Sequence, residues 1–84
     1  MRVVWLRGKM FEEQSHHWNI VFTLVTEVLG VGSLEEVKSA ELDSIVQIEI
    51  RARLHELGEP FAEMASNLGN FSSFDELVIL LKAQ

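Results

Sequence analysis

The chain predicts an all-α fold, a small four-helix bundle with three main helices and one short one. Three observations carry this. Apolar residues recur at three- and four-residue intervals in four separate stretches. Glycines stand just beyond three of those stretches. Serines with Glu or Gln three positions on stand at helix starts. At 84 residues only one core can be enclosed, and residues 11–84 read as one helical domain behind a poorly structured basic extension at residues 1–10.

The first helix is expected over residues 11–29. Trp18, Val21, Phe22, Val25, Val28 and Leu29 form one face, Phe11 extends it backward, and Gly30 supplies a left-handed stop. Periodicity lapses from Gly30 to Asp43, where Ser33 and Glu36 can cap one short turn. The second helix is expected over residues 44–57, with Ser44 and Gln47 at capping-box spacing and Asp43 adding negative charge at the positive end of the dipole. Ile45, Val46, Ile48, Ile50, Leu54 and Leu57 supply its apolar side. The β-branched run also suits a strand, but it continues through helix-compatible residues to Gly58, which favours a helix.

Pro60 suits the first position of a short third helix over residues 60–68, where Phe61, Met64, Ala65 and Leu68 line one side before Gly69. The last helix, residues 73–82, opens on the Ser73–Glu76 pair and buries Phe74, Leu77, Val78 and Leu81. The expected core takes Leu24 or Val25, Leu29, Ile48 or Ile50, Leu54, Phe61, Leu77 and Leu81. Residues 1–9, with Arg2, Arg7 and Lys9 around Val3 to Leu6, are expected to add little to the fold.

Composition narrows the function. Thirteen Asp and Glu against seven Lys and Arg give a net charge of −6. That disfavours nucleic acid, whose binding needs clustered cations, and favours partners with basic patches. The absence of cysteine removes disulfides, zinc–thiolate sites and thiol nucleophiles. No apolar run approaches the roughly 20 residues of a membrane span, and the four-residue apolar run near the start is too short for a secretory signal. The chain reads as cytoplasmic and monomeric.

Catalytic patterns are weak. His16 and His17 are adjacent, so on a helix they diverge by about 100° and cannot chelate one metal in the i, i+4 manner. His55 lies in another helix, and all three read as surface or boundary residues. The acid groups Glu12-Glu13, Glu35-Glu36 and Glu56, Glu59 and Glu63 fall in polar stretches and read as solvated faces. Gly30-Val31-Gly32 does not complete a dinucleotide fingerprint and follows a helix instead of a strand. The tryptophans read as packing residues. The chain is not expected to be an enzyme.

Leu42-Asp43-Ser44-Ile45 stands apart. It sets a serine at a helix start after a long loop, where the hydroxyl is within reach of another enzyme. A phosphate there would meet free backbone N–H groups and the helix dipole. The bland reading is an ordinary N-cap, and loss of the Ser44 hydroxyl is then expected to cost about 0.5–2 kcal/mol.

Asp43-Ser44-Ile45 resembles the attachment motif of acyl and peptidyl carrier proteins. The likeness continues through Ile48-Glu49-Ile50, Leu54, a proline-containing loop, a short helix and Ser72-Ser73-Phe74-Asp75-Glu76-Leu77-Val78. Upstream, Ile20 to Leu29 resembles the family's first helix and ends in its Leu-Gly pair, so the likeness covers about residues 15–82. It implies a 4′-phosphopantetheine arm on Ser44, flanked by Asp43 and Ile45, which carries acyl or aminoacyl thioesters in fatty-acid, polyketide or nonribosomal peptide synthesis. It also implies a phosphopantetheinyl transferase and acyl-processing enzymes as partners, docking on acidic residues such as Glu35, Glu36, Glu41, Asp43 and Glu49. The chain departs from the family at Glu41, where many members have glycine, and in a shorter loop before Ser44. The alternative reading is a small acidic helical interaction module or regulator without a prosthetic group.

Overall fold

The computed structural model describes residues 11–84. The described residues form five helices and no strand: α1 His16–Leu29, α2 Leu34–Ser39, α3 Ser44–Glu56, α4 Phe61–Ser66 and α5 Phe74–Lys82. The all-helical class is as expected, and the β-branched run of α3 is helical. The expected count of four is corrected to five, because the Ser33 turn continues into the six-residue α2.

Caps explain where the helices begin. The first helix starts at His16 and not at residue 11, because Ser15 takes the N-cap and its hydroxyl accepts the Trp18 N–H at 3.2 Å. The chain before it turns back on itself: the Ser15 N–H donates to the Glu12 carbonyl, and Gln14 adopts a left-handed φ of 72°. Gly30 ends α1 in the left-handed region, as expected. The Ser33–Glu36 and Ser73–Glu76 pairs both cap: the Glu36 and Glu76 N–H groups each donate to the serine hydroxyl at 3.2 Å. Each glutamate carboxylate reaches back one residue beyond the cap, to the Gly32 N–H and the Ser72 N–H.

Pro60 is the N-cap of α4 and not its first residue, and α4 ends at Ser66, two residues short of the expectation. Leu68 is nevertheless buried, carried into the core by the turn that follows the helix.

Helix α3 packs against α1 and α4, and α2 bridges α1 and α5. Between them lies one core. Its aromatic side chains meet in two groups. Trp18 stacks on Phe22 with ring centres 5.1 Å apart, and both meet Phe74 of α5 edge-on. Phe11 and His17 meet Phe61 of α4, with centroid separations of 6.3 and 5.4 Å. Phe11 is therefore fully buried although it precedes the first helix. Phe71, also fully buried, enters from the loop between α4 and α5.

The expected core is largely observed: Leu24, Val25, Ile50, Leu54, Phe61, Leu77 and Leu81 are buried. Leu29 is only half-buried. The apolar side assigned to α3 is corrected. Ile45 and Ile48 are 76% and 64% exposed, and Leu57 is also exposed. At 100° per residue, Ile45 and Ile48 lie roughly 140–160° round the helix from Ile50, so the side that buries Ile50 and Leu54 must expose them. The expectation for residues 1–10 lies outside the described residues.

Phe11→Ala should cost about 3–5 kcal/mol, the range for emptying a buried phenylalanine site. Urea denaturation should show a large fall in midpoint. A shift below about 1 kcal/mol would show that Phe11 is not packed as described. A second outcome concerns pH. Burial, and secondarily the neighbouring His16, hold the His17 imidazole below its usual range. Because protonation is easier in the unfolded chain, this contribution to stability is complete above about pH 6.5 and is lost as pH falls through the folded value. His17→Gln should make the decline of the urea midpoint between pH 7 and 5 shallower. An unchanged slope would refute the assignment.

Candidate functional site

The region around Ser44 is built by the loop from Ala40 to Asp43 and the first turn of α3. Asp43, in extended conformation, is the N-cap, and its Oδ1 accepts the Val46 N–H at 2.9 Å. Gln47 makes no capping box with Ser44. Its side-chain amide instead donates to the Leu42 carbonyl at 2.9 Å and accepts the Phe71 N–H at 3.4 Å. The expectation that Ser44 caps α3 is thus corrected. The carboxylate one residue earlier accepts the Val46 N–H, and its charge suits the helix start better than a hydroxyl does.

Ser44 is left as the first residue of α3, exposed. Among the described residues, no hydrogen bond engages its hydroxyl. The N–H groups of Ser44 and Ile45 have no acceptor there either, since the first helical bond runs from the Gln47 N–H to the Asp43 carbonyl. A hydroxyl and two free main-chain donors therefore stand together at the positive end of a 13-residue helix. The arrangement suits a singly charged phosphodiester, at about 0.3–1 kcal/mol for an exposed helix end.

The acidic residues assigned to this face, Glu35, Glu36, Glu41 and Glu49, are all exposed, as is Asp43. They are not equally free. The Glu36 carboxylate accepts from the Ser33 hydroxyl at 3.0 Å, and Glu49 accepts from Arg53 at 2.9 Å. Arg53 also approaches Glu27 of α1 at 3.9 Å. Ile45, assigned to the attachment motif, and Ile48 add an exposed apolar stripe beside Ser44. Sequence periodicity placed both on the apolar side of the helix, and Ile48 as an alternative to Ile50 in the core; their angular distance from Ile50 and Leu54 was the signal that could have separated them.

The remaining candidates do not join this site. His16 and His55 are exposed and His17 is half-buried, and the His16 and His17 rings meet edge-on at 5.5 Å. Among the described residues no group of three His, Asp or Glu is placed to hold a metal, and no helix is long and apolar enough to cross a membrane. An open groove of about 610 Å³ runs between α1 and α3, lined by residues that include Ile20, Leu24, Glu27, Arg53 and Leu57. It lies toward the far end of α3 from Ser44. Compared with protein-family models, with curated proteins and with solved structures, the chain has no match.

The division of roles between Asp43 and Ser44 can be measured. Asp43→Ala should cost about 1 kcal/mol of stability, Asp43→Asn distinctly less, and Ser44→Ala should stay within about 0.5 kcal/mol of the parent. Urea midpoints for the three variants give the order, and a larger loss at Ser44 than at Asp43 would return the cap to the serine.

Proposed function

We propose that the chain is a carrier domain, modified on Ser44 with 4′-phosphopantetheine, that presents acyl or aminoacyl thioesters to partner enzymes and is not itself an enzyme. The observation that carries this reading is the free Ser44 hydroxyl. At an Asp-Ser helix start either residue can cap, and a capping serine has its hydroxyl oxygen engaged by a main-chain N–H. Here Asp43 takes the cap, Ser44 is exposed, and among the described residues neither its hydroxyl nor the Ser44 and Ile45 N–H groups have a hydrogen-bond partner. The carrier-protein resemblance of Asp43-Ser44-Ile45 points to the same atom.

In the loading step, Ser44 Oγ attacks the phosphorus of coenzyme A that bears the pantetheine chain. An O–P bond forms, the pyrophosphate O–P bond breaks, and the adenosine bisphosphate leaves. The serine proton passes to a base supplied by the transferase. Once attached, the group supplies a thiol, which a cysteine-free chain otherwise lacks. The chain's own part is to hold the phosphodiester at the start of α3 and to present a docking face. Glu41, Asp43 and Glu49, with Glu35 and Glu36 on α2, attract basic partner surfaces. Ile45 and Ile48 give that contact an apolar centre.

The same exposed pair, Ile45 and Ile48, favours a second reading, in which the chain is an acidic interaction module and Ser44 carries nothing. Intact mass separates the two. Incubation with coenzyme A and transferases of broad and narrow specificity should add the mass of one phosphopantetheine to the parent, and none to Ser44→Ala. If a control carrier is loaded and this chain never is, either in vitro or in its native host, the carrier reading fails. Modification at Ser33 or Ser39 would defeat the site.

A further inference from the structure

Leu42, two residues before Ser44, is tied at both of its main-chain polar groups. Its N–H donates to the Ser72 carbonyl at 2.9 Å, and its carbonyl accepts from Gln47 Nε2 at 2.9 Å. The other end of the same Gln47 amide accepts the Phe71 N–H. One side chain on the first turn of α3 thus bridges the strand-like approach to Ser44 and the loop between α4 and α5. The Leu42 and Phe71 side chains on either side of the bridge are buried. One turn further along, Arg51 donates to the Gly69 carbonyl at 2.8 Å and the Leu68 carbonyl at 3.4 Å, and its guanidinium lies 5.5 Å from the centre of the Phe71 ring. Arg51 fixes the same loop but makes no hydrogen bond to Leu42.

We infer that Gln47 is a positioning residue for the modification of Ser44: by bridging Leu42 and Phe71 it holds residues 40–43 in the one conformation that presents the Ser44 hydroxyl to a transferase. The inference rests on the carrier reading of Ser44. It follows from the backbone accounting. The approach to Ser44 has no helix or sheet ladder of its own: Ala40 is tied back to Glu36, Asp43 is fixed as the cap, and Leu42 between them is held by Ser72 and Gln47. Without Gln47 the Leu42 carbonyl can turn to water, and the approach samples conformations in which Ser44 is presented differently. When only a fraction of molecules is competent to bind, apparent affinity falls by that fraction while the bound complex reacts as before. The signature is a raised KM for the carrier with kcat unchanged.

The test uses the full chain and the variants Gln47→Met and Arg51→Met, with loading by a transferase followed by intact mass. Gln47→Met, which keeps length and loses both hydrogen bonds, should raise KM on the order of tenfold at constant kcat. It should also speed amide exchange at Leu42 and Phe71 by about tenfold. Arg51→Met should lower the urea midpoint and leave KM within about twofold of the parent, as it cuts the ties to Leu68 and Gly69 and the contact with the Phe71 ring but keeps both hydrogen bonds of Gln47. If the parent chain is not loaded while a control carrier is, the carrier reading fails and the role of Gln47 falls with it. If the parent is loaded and Gln47→Met loads with the same KM, or leaves exchange at Leu42 unchanged, this inference alone is overturned. A rise in KM in both variants that tracks their loss of stability would overturn it as well, since a purely structural effect would then suffice.

Discussion

The burial of Ile50 and Leu54 decides how α3 sits, and most of the molecule is arranged around that decision. These two side chains, with Val46 half-buried beside them, are all the helix gives to the core. Such a narrow apolar side yields limited burial energy, at about 25 cal/mol per Å² of apolar surface removed from water. The helix is therefore held at its start and along its flanks. Asp43 closes the start. Gln47 and Arg51 fasten one flank to the loop between α4 and α5. Arg53 lies on the other flank between Glu49 and Glu27. That last group is solvent-exposed and contributes little on its own, as surface ion pairs usually do. The main-chain ties made by Gln47 and Arg51 matter more, because they satisfy carbonyl and N–H groups that no secondary structure would pair.

The rest of the core compensates through aromatic area. A chain of this size buries a modest share of its surface, and without cysteine it has no covalent staple. Phe11, Trp18, Phe61, Phe71 and Phe74 are all buried, and aromatic side chains bury more surface per residue than aliphatic ones. Two of the five, Phe11 and Phe71, come from outside the helices. Phe11 packs against Phe61 of α4, and Phe71 lies beneath Arg51 of α3. The connecting segments are thus structural members, and the Phe71 main chain is tied through Gln47 to the loop beside Ser44.

Helix identity was legible because amphipathic spacing and capping pairs are local signals. The Ser33–Glu36 and Ser73–Glu76 pairs cap as their spacing implied, and Gly30 stops α1 where expected. What failed to be legible was competition and rotation. At Asp43-Ser44 two good caps are adjacent, and spacing alone cannot say which one wins. The carboxylate wins because it answers both the free N–H and the dipole. In α3 six apolar residues fall on more than one side, so the sequence shows a helix without showing which side turns inward. Phe11 and Phe71 belong to no periodic stretch, and their burial depends on contacts distant in sequence. The Ser44 position itself was readable, as were the exposed acids around it; the Gln47 bridge was not, because its spacing also fits a capping box.

The same competition accounts for the chemical character of the candidate site. A helix start has a fixed set of orphan N–H groups, and whichever side chain satisfies them is itself taken out of reach. With Asp43 in that place, the helix keeps its cap and the neighbouring hydroxyl has no hydrogen-bond partner among the described residues. The arrangement also sets the local charge. The Asp43 carboxylate occupies one N–H and leaves those of Ser44 and Ile45 to an anion attached at Ser44, whose single negative charge two donors and the dipole can balance. On the carrier reading the group at Ser44 is a phosphodiester, whose single negative charge is what these two donors would meet.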